Sequence, residues 1–452
     1  MLHTLTVAEA AKRIREGSLS PVELVAGCLE RIESLEPSVK AWVTLCRADA
    51  LEQAERLSDE ARAGRIRGPL HGIPVGIKDI YHVAGVKTTA GARGFADQVP
   101  VNDATTVSRL KAAGAIILGK TATTEFAYLD PAQTKNPWNL ERTPGGSSSG
   151  SAAAVAAQMA PAALGSQTVG SVLRPAAYCG VVGLKPTYGR ISRAGIIPLA
   201  WSLDHVGTFS RSVTDAALLL KVLAGRDRDD PTSSSLPVPD YPALLPADSP
   251  PRLGLVREYF LDESTAEVAR HIELIVSALR AAGAAIEQVT LPDSFRAVHA
   301  ATRLIAEAEA AAFHADLFRS HADEYRPKIR TFVEGGSLVP AVAYLQARRM
   351  RRRFQLDMDA ILTLFDGLVM PVAPAPAPDL STTGDGNFCA PWSFAGLPAI
   401  SLPTGLGKEK LPLAMQIVGG AFAEERLLAS AHWCELVIGR AATPPLGCPF
   451  PS

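Results

Sequence analysis

No two of the six cysteines, Cys28, Cys46, Cys179, Cys389, Cys434 and Cys448, stand in CxxC spacing. Their scatter argues against a zinc site and sets out no disulfide framework. No apolar run approaches the ~18 residues that crossing a bilayer requires. Met1-Leu2-His3-Thr4 leads straight into an amphipathic helix, without the apolar core of a signal peptide. Net charge is nearly absent, −1 at pH 7, so electrostatics offers no reason to expect nucleic acid or an acidic membrane as partner. Aromatics are scarce at 6%. These absences lead to the expectation of a soluble, cytoplasmic protein.

What is plentiful is small or apolar. Hydrophobic residues make up 47% of 452, with 36 glycines and 34 prolines, which is ample for a sizeable core with many turns. Thr6-Val7-Ala8-Glu9 and Ser20-Pro21-Val22-Glu23 read as capping boxes that open two helices. Ile73, Val75 and Ile77 alternate, predicting a strand that buries that face and leaves Pro74, Gly76 and Lys78 on the other. A helix over 103–113 and a buried strand at 115–118 follow. The polar connector 226–242 leads to a βαβ unit over 253–289, then helices across much of 293–364 and a strand at 367–371. Strands alternating with helices predict an α/β layered architecture. The basic run 348–353 reads as a solvated helix face offset by Asp357 and Asp359.

Two motif matches suggest other chemistries. Gly114-Ala115-Ile116-Ile117-Leu118-Gly119-Lys120-Thr121 fits a phosphate loop as letters. Its middle four residues are apolar and belong in a buried strand, where no N–H groups converge on a phosphate. Gly146-Ser147-Ser148-Ser149-Gly150 matches the nucleophile elbow of an α/β-hydrolase esterase, with Ser148 central. The polar 136–142 stretch before it is no buried strand, and the one late histidine, His432, falls on an apparent helix.

Three segments carry the chemistry. Gly72-Ile73-Pro74-Val75-Gly76-Ile77-Lys78-Asp79 places one lysine among apolar and small residues. Thr143-Pro144-Gly145-Gly146-Ser147-Ser148-Ser149-Gly150-Ser151-Ala152 sets serines among glycines. Gly165-Ser166-Gln167-Thr168-Val169-Gly170-Ser171-Val172-Leu173-Arg174-Pro175 reads as a second small-residue loop before a helix near Pro175. A serine hydroxyl needs a base, and lysine serves only when neutral. From its ordinary pKa near ~10.4 to neutrality is a change worth about 4 kcal/mol, which burial among uncharged residues can supply.

In this order, with 69 residues from Lys78 to Ser147 and 24 from Ser147 to Ser171, the segments resemble the amidase signature family of serine hydrolases. Two further stretches, 183–190 and 391–399, are similar to segments of that family. The resemblance implies one large α/β/α domain over 1–452, with a central mixed, largely parallel sheet flanked by helices. Within it, 1–60 would supply amino-terminal helices, 61–225 the signature region, 226–365 variable substrate-shaping helices and 366–452 the completion of the sheet. It also implies Ser171 as nucleophile, Ser147 as a bridging serine on a cis peptide bond, and Lys78 as base. Backbone N–H groups of Thr168, Val169, Gly170 and Ser171 would form the oxyanion hole. Neither metal nor organic cofactor is implied.

The chain departs from the family at Gln167, where an acid is usual, at Val169, where glycine is usual, and at Arg174, three residues rather than two past Ser171. A left-handed conformation at Val169 would be strained. Tyr128, Trp201 and Trp392 are the aromatics nearest these segments and are candidates to line the substrate pocket. The expected partner is a small-molecule amide or carbamate, with a homodimer left open. Within the same family, the glutaminase component (the A chain) of a tRNA-dependent amidotransferase is the alternative.

Overall fold

The computed structural model describes residues 1–245, 249–439 and 442–446, so Cys448 lies outside the described residues. Both amino-terminal capping boxes close. The Glu9 N–H donates to Thr6 Oγ1 at 3.2 Å while the Thr6 N–H donates to the Glu9 carboxylate at 3.0 Å. Ser20 and Glu23 repeat the exchange at 3.1 and 2.8 Å, with Pro21 as the first helical residue.

One sheet carries the molecule. Its strands are β1 (Trp42–Leu45), β2 (Pro74–Lys78), β3 (Ile116–Thr121), β4 (Ala162–Gln167), β5 (Val182–Lys185), β6 (His205–Ser210), β7 (Arg252–Val256), β8 (Ala285–Val289), β9 (Gly367–Pro371), β10 (Ala399–Leu406) and β11 (Pro412–Val418), in the order β1-β3-β2-β4-β6-β5-β10-β11-β9-β7-β8. The sheet is mixed, as expected, but not largely parallel. Among the described residues β2 pairs in parallel with β3 and β4, and β7 with β8 and β9. The other six pairings are antiparallel. Helical crossovers build the parallel triplets β3-β2-β4 and β9-β7-β8, while the β10–β11 hairpin and the reversal at β6 build the antiparallel middle and β1 adds an antiparallel edge. Pro403 and Gly405 hide β10 from a sequence reading, and the strand's register shifts between them.

β2 is a strand as expected, and both of its faces are covered: all five of its residues are buried. Gly165-Ser166-Gln167, expected as loop, is the end of β4. Small residues are required there by close approach rather than by flexibility. A Cβ on Gly165 would lie 2.5 Å from Phe209 Cε2 and 2.8 Å from Ser148 Oγ.

The phosphate-loop look-alike is buried strand β3. Lys120 Nζ lies 2.8 Å from Asp79 Oδ1, and neither side chain is exposed. A Cβ at Gly119 would stand 2.1 Å from the Thr44 carbonyl oxygen, so nothing the size of a phosphate approaches this backbone. The basic run divides. Arg353 pairs with Asp357 on the surface, but Arg351 is buried and donates Nε to the Phe394 carbonyl at 2.6 Å. With Gln355, which donates to the Ala395 carbonyl, it satisfies the end of the short helix Ala390–Ala395.

Candidate active site

Lys78 ends β2 fully buried, and its amine reaches two hydroxyls, Ser147 Oγ at 2.7 Å and Ser166 Oγ at 2.8 Å. Burial lowers its pKa to about 7, opposed by the Asp204 carboxylate. Ser166 is a contact that sequence reading misses, because its segment reads as loop; the available signal is the strand character of β4.

Ser147 follows a cis Gly146–Ser147 peptide bond. Arg174, itself buried, holds this turn, donating Nη2 to the Gly146 carbonyl at 2.5 Å and Nη1 to the Gly384 carbonyl at 2.6 Å. Ser148, the esterase candidate, is buried with its hydroxyl on the Ser166 carbonyl and amide, both at 3.2 Å. No strand precedes it, and His432 borders a different cavity, beside Met1 and Thr4. The elbow reading fails on both counts.

Ser171 lies beyond β4, just before the helix Leu173–Cys179, on the wall of a cavity of about 330 Å³. Its hydroxyl makes no hydrogen bond among the described residues, to Ser147 or to any other group. The N–H groups of Thr168, Val169, Gly170 and Ser171 also donate to nothing among the described residues, and all four residues line that cavity. Val169 stays out of the left-handed region, so its β-branch sits there without backbone strain.

The loop is pinned from beneath by Gln167. Its Oε1 accepts from the Val172 and Leu173 N–H groups, each at 2.9 Å, capping the helix that follows. Its Nε2 donates to Ser393 Oγ at 3.0 Å, and Ser393 Oγ donates to the Val169 carbonyl at 2.9 Å. Thr168 is tied separately, its hydroxyl donating to Asp204 at 2.6 Å. Asp204 also accepts from the Leu199 and Ala200 N–H groups, and its burial pushes its carboxyl pKa up to about 6.

The three candidate aromatics separate. Tyr128 lines the Ser171 cavity, stacked on Phe332 with ring centroids 4.1 Å apart. Trp201 lines a neighbouring cavity instead. Trp392 lines neither. It is fully buried and stacked on Phe260 at 5.7 Å, because its helix turns that face into the core. Phe332 is beyond the reach of sequence reading, since nothing local ties 327–336 to the signature segments.

The amidase family model matches residues 23–428. The A chain of the glutamyl-tRNA(Gln) amidotransferase from Roseiflexus sp. (strain RS-1) is 38% identical over 466 residues, covering 95% of each chain. The native peptide amidase from Stenotrophomonas maltophilia superposes with a TM-score of 0.88 at 33% identity, covering 97% of this chain and 98% of that one. A 6-aminohexanoate cyclic dimer hydrolase superposes with a TM-score of 0.89 at 26% identity, over 98% and 99%. No helix among the described residues is long and apolar enough to cross a membrane. The chain belongs to the amidase signature family and is an amidase, a hydrolase of carbon–nitrogen amide bonds.

Proposed function

We propose that this amidase works through an acyl-serine on Ser171, with Ser147 as the bridging hydroxyl and Lys78 as the base. Ser171 Oγ attacks the carbonyl carbon, and its proton passes through Ser147 to neutral Lys78. The oxyanion of the tetrahedral intermediate is taken by N–H groups of Thr168, Val169, Gly170 and Ser171, donors fixed before the charge develops. The carbon–nitrogen bond then breaks as Ser147 returns the proton to the leaving nitrogen. Water adds to the acyl carbon, its proton travels the same relay, and Ser171 regains a hydrogen as the acid departs. In this reading 61–225 carries the chemistry and 226–365 shapes the pocket, to which Phe332 contributes.

The observation that carries the reading is a fully buried amine, pKa about 7, in hydrogen-bond contact with Ser147. Aryl amides, anilides and aryl carbamates undergo the same attack, and the aromatic wall of Tyr128 and Phe332 suits an apolar acyl group. The test is a panel of an anilide, a primary aliphatic amide and an aryl carbamate, with sulfonyl fluoride labelling of the nucleophile. Ser171→Ala should abolish labelling, and Lys78→Ala should lower kcat at least ~10³-fold, the larger end of general-base effects. Labelling that survives Ser171→Ala overturns the assignment.

A second reading is favoured by the relatives that are A chains of glutamyl-tRNA(Gln) amidotransferases. It makes this chain a glutaminase that delivers ammonia to a partner protein. Gln167, Val169 and Arg174 weigh against it. Glutamine hydrolysis assayed with the chain alone and with added partner proteins decides, and strong stimulation by a partner would favour this second reading.

A further inference from the structure

The cavity holding Ser171 has a neighbour of about 200 Å³, and the two share Ala127, Thr168 and Leu199 as common wall. The second cavity is largely apolar, walled by Ile80, Ile197, Pro198, Val206 and Trp201. We infer that it receives the amine half of a secondary amide or carbamate, an aryl or branched alkyl group, while the acyl half lies against Tyr128 and Phe332. This assignment rests on the relay proposed above.

The direction of the substrate follows from where the proton must go. The leaving nitrogen takes its proton from Ser147, whose hydroxyl bonds the Lys78 amine at 2.7 Å. The same amine bonds Ser166 Oγ at 2.8 Å, and Ser166 lines the second cavity but not the first. The second cavity therefore opens on the side of the proton donor. Thr168 stands at the partition, its N–H without an acceptor among the described residues and its hydroxyl tied to Asp204, so an amide carbonyl bound there has one arm in each cavity.

Size and charge narrow the occupant. A void of about 150 Å³ holds one benzene ring, so this cavity accommodates a single ring and would stand empty behind departing ammonia. Most of its charged lining is already engaged. Asp204 accepts from Thr168, Leu199 and Ala200, and Arg193 lies 3.6 Å from Asp230. Burial holds His205 neutral, its pKa well below the usual value. Of the charged lining residues, Asp229 stands at the exposed rim. An uncharged aryl or branched alkyl amine meets these terms.

The experiment pairs an anilide with the primary amide of the same acid and reads the ratio of their kcat/KM values. Ala194→Phe and Ile197→Trp, each filling the second cavity, should lower the anilide-to-primary-amide ratio at least tenfold. Tyr128→Ala, on the acyl side, should move the ratio by less than twofold. Should neither filling variant fold, inhibition of the wild type decides: aniline should compete with the anilide, and para-substituents longer than the cavity should weaken that inhibition at least tenfold. A ratio unmoved in folded filling variants, or aniline without effect up to its solubility, overturns the assignment. Ser171→Ala keeps the two levels apart. If it abolishes turnover of both substrates while the ratio test fails, the relay stands and the cavity assignment falls. If it leaves turnover intact, both fall.

Discussion

Lys78 has hydroxyls, not carboxylates, in hydrogen-bond contact, so burial governs its charge and Asp204 corrects it from a distance. Two predictions belong at this scale. With the neutral amine as base, kcat/KM rises with pH through about 7 and levels above it. Asp204→Asn removes the negative charge that favours the ammonium form, so that limb should move to lower pH; a pH–rate profile reads the shift. The same amine carries a cost in stability. In the unfolded chain lysine stays protonated to about 10.4, so the penalty for burying it is complete below pH 7, falls between 7 and 10.4, and is gone above that. Lys78→Met should therefore raise Tm relative to wild type most near neutrality, with the gain shrinking as pH climbs. A constant gain across that range would contradict it.

Among elements, the junction of β4 with the helix Leu173–Cys179 matters most, because four consecutive N–H groups with no acceptor among the described residues need rigid support. Gln167 and Ser393 provide it through three contacts of 2.9 Å and one of 3.0 Å. Gln167→Ala leaves the Val172 and Leu173 donors without their acceptor and should cost about 1–3 kcal/mol by denaturant unfolding. Its kcat should fall more than its KM rises, since the N–H groups proposed to take the oxyanion lose their anchor. Gln167→Glu keeps an acceptor for both N–H groups and should recover most of the lost stability. Sequence alone marks Gln167 as a departure from the family but cannot reveal Ser393, 226 positions away, as the partner that makes an amide useful there.

The whole molecule decides which aromatics line the Ser171 cavity and which sit in the core. Trp392 is packed against Phe260, and Trp392→Ala should cost about 3–5 kcal/mol, seen as a lowered Tm with little change in KM of the folded fraction. Tyr128→Ala should do the reverse, raising KM at least fivefold for an anilide and the primary amide of the same acid alike, with a smaller change in Tm. Equal effects of the two on stability would contradict this division. Adjacency to a signature segment could not separate these residues, because a helix of six residues turns one flank to the site and another to the core.

Local chemistry determined much of this protein from sequence alone. Capping boxes started the first helices, alternation marked β2 and an apolar run β3, and the order and spacing of Lys78, Ser147 and Ser171 pointed to the amidase signature family. Each depends on neighbours within a few residues or on a recurring order along the chain. Tertiary structure alone decided that Ser166 shares the lysine, that Arg351 is buried, that the middle of the sheet is antiparallel, and that Phe332 reaches the Ser171 cavity. Those outcomes depend on contacts between distant segments, where the free energy of close packing and hydrogen-bond satisfaction overrides the preferences of any short stretch.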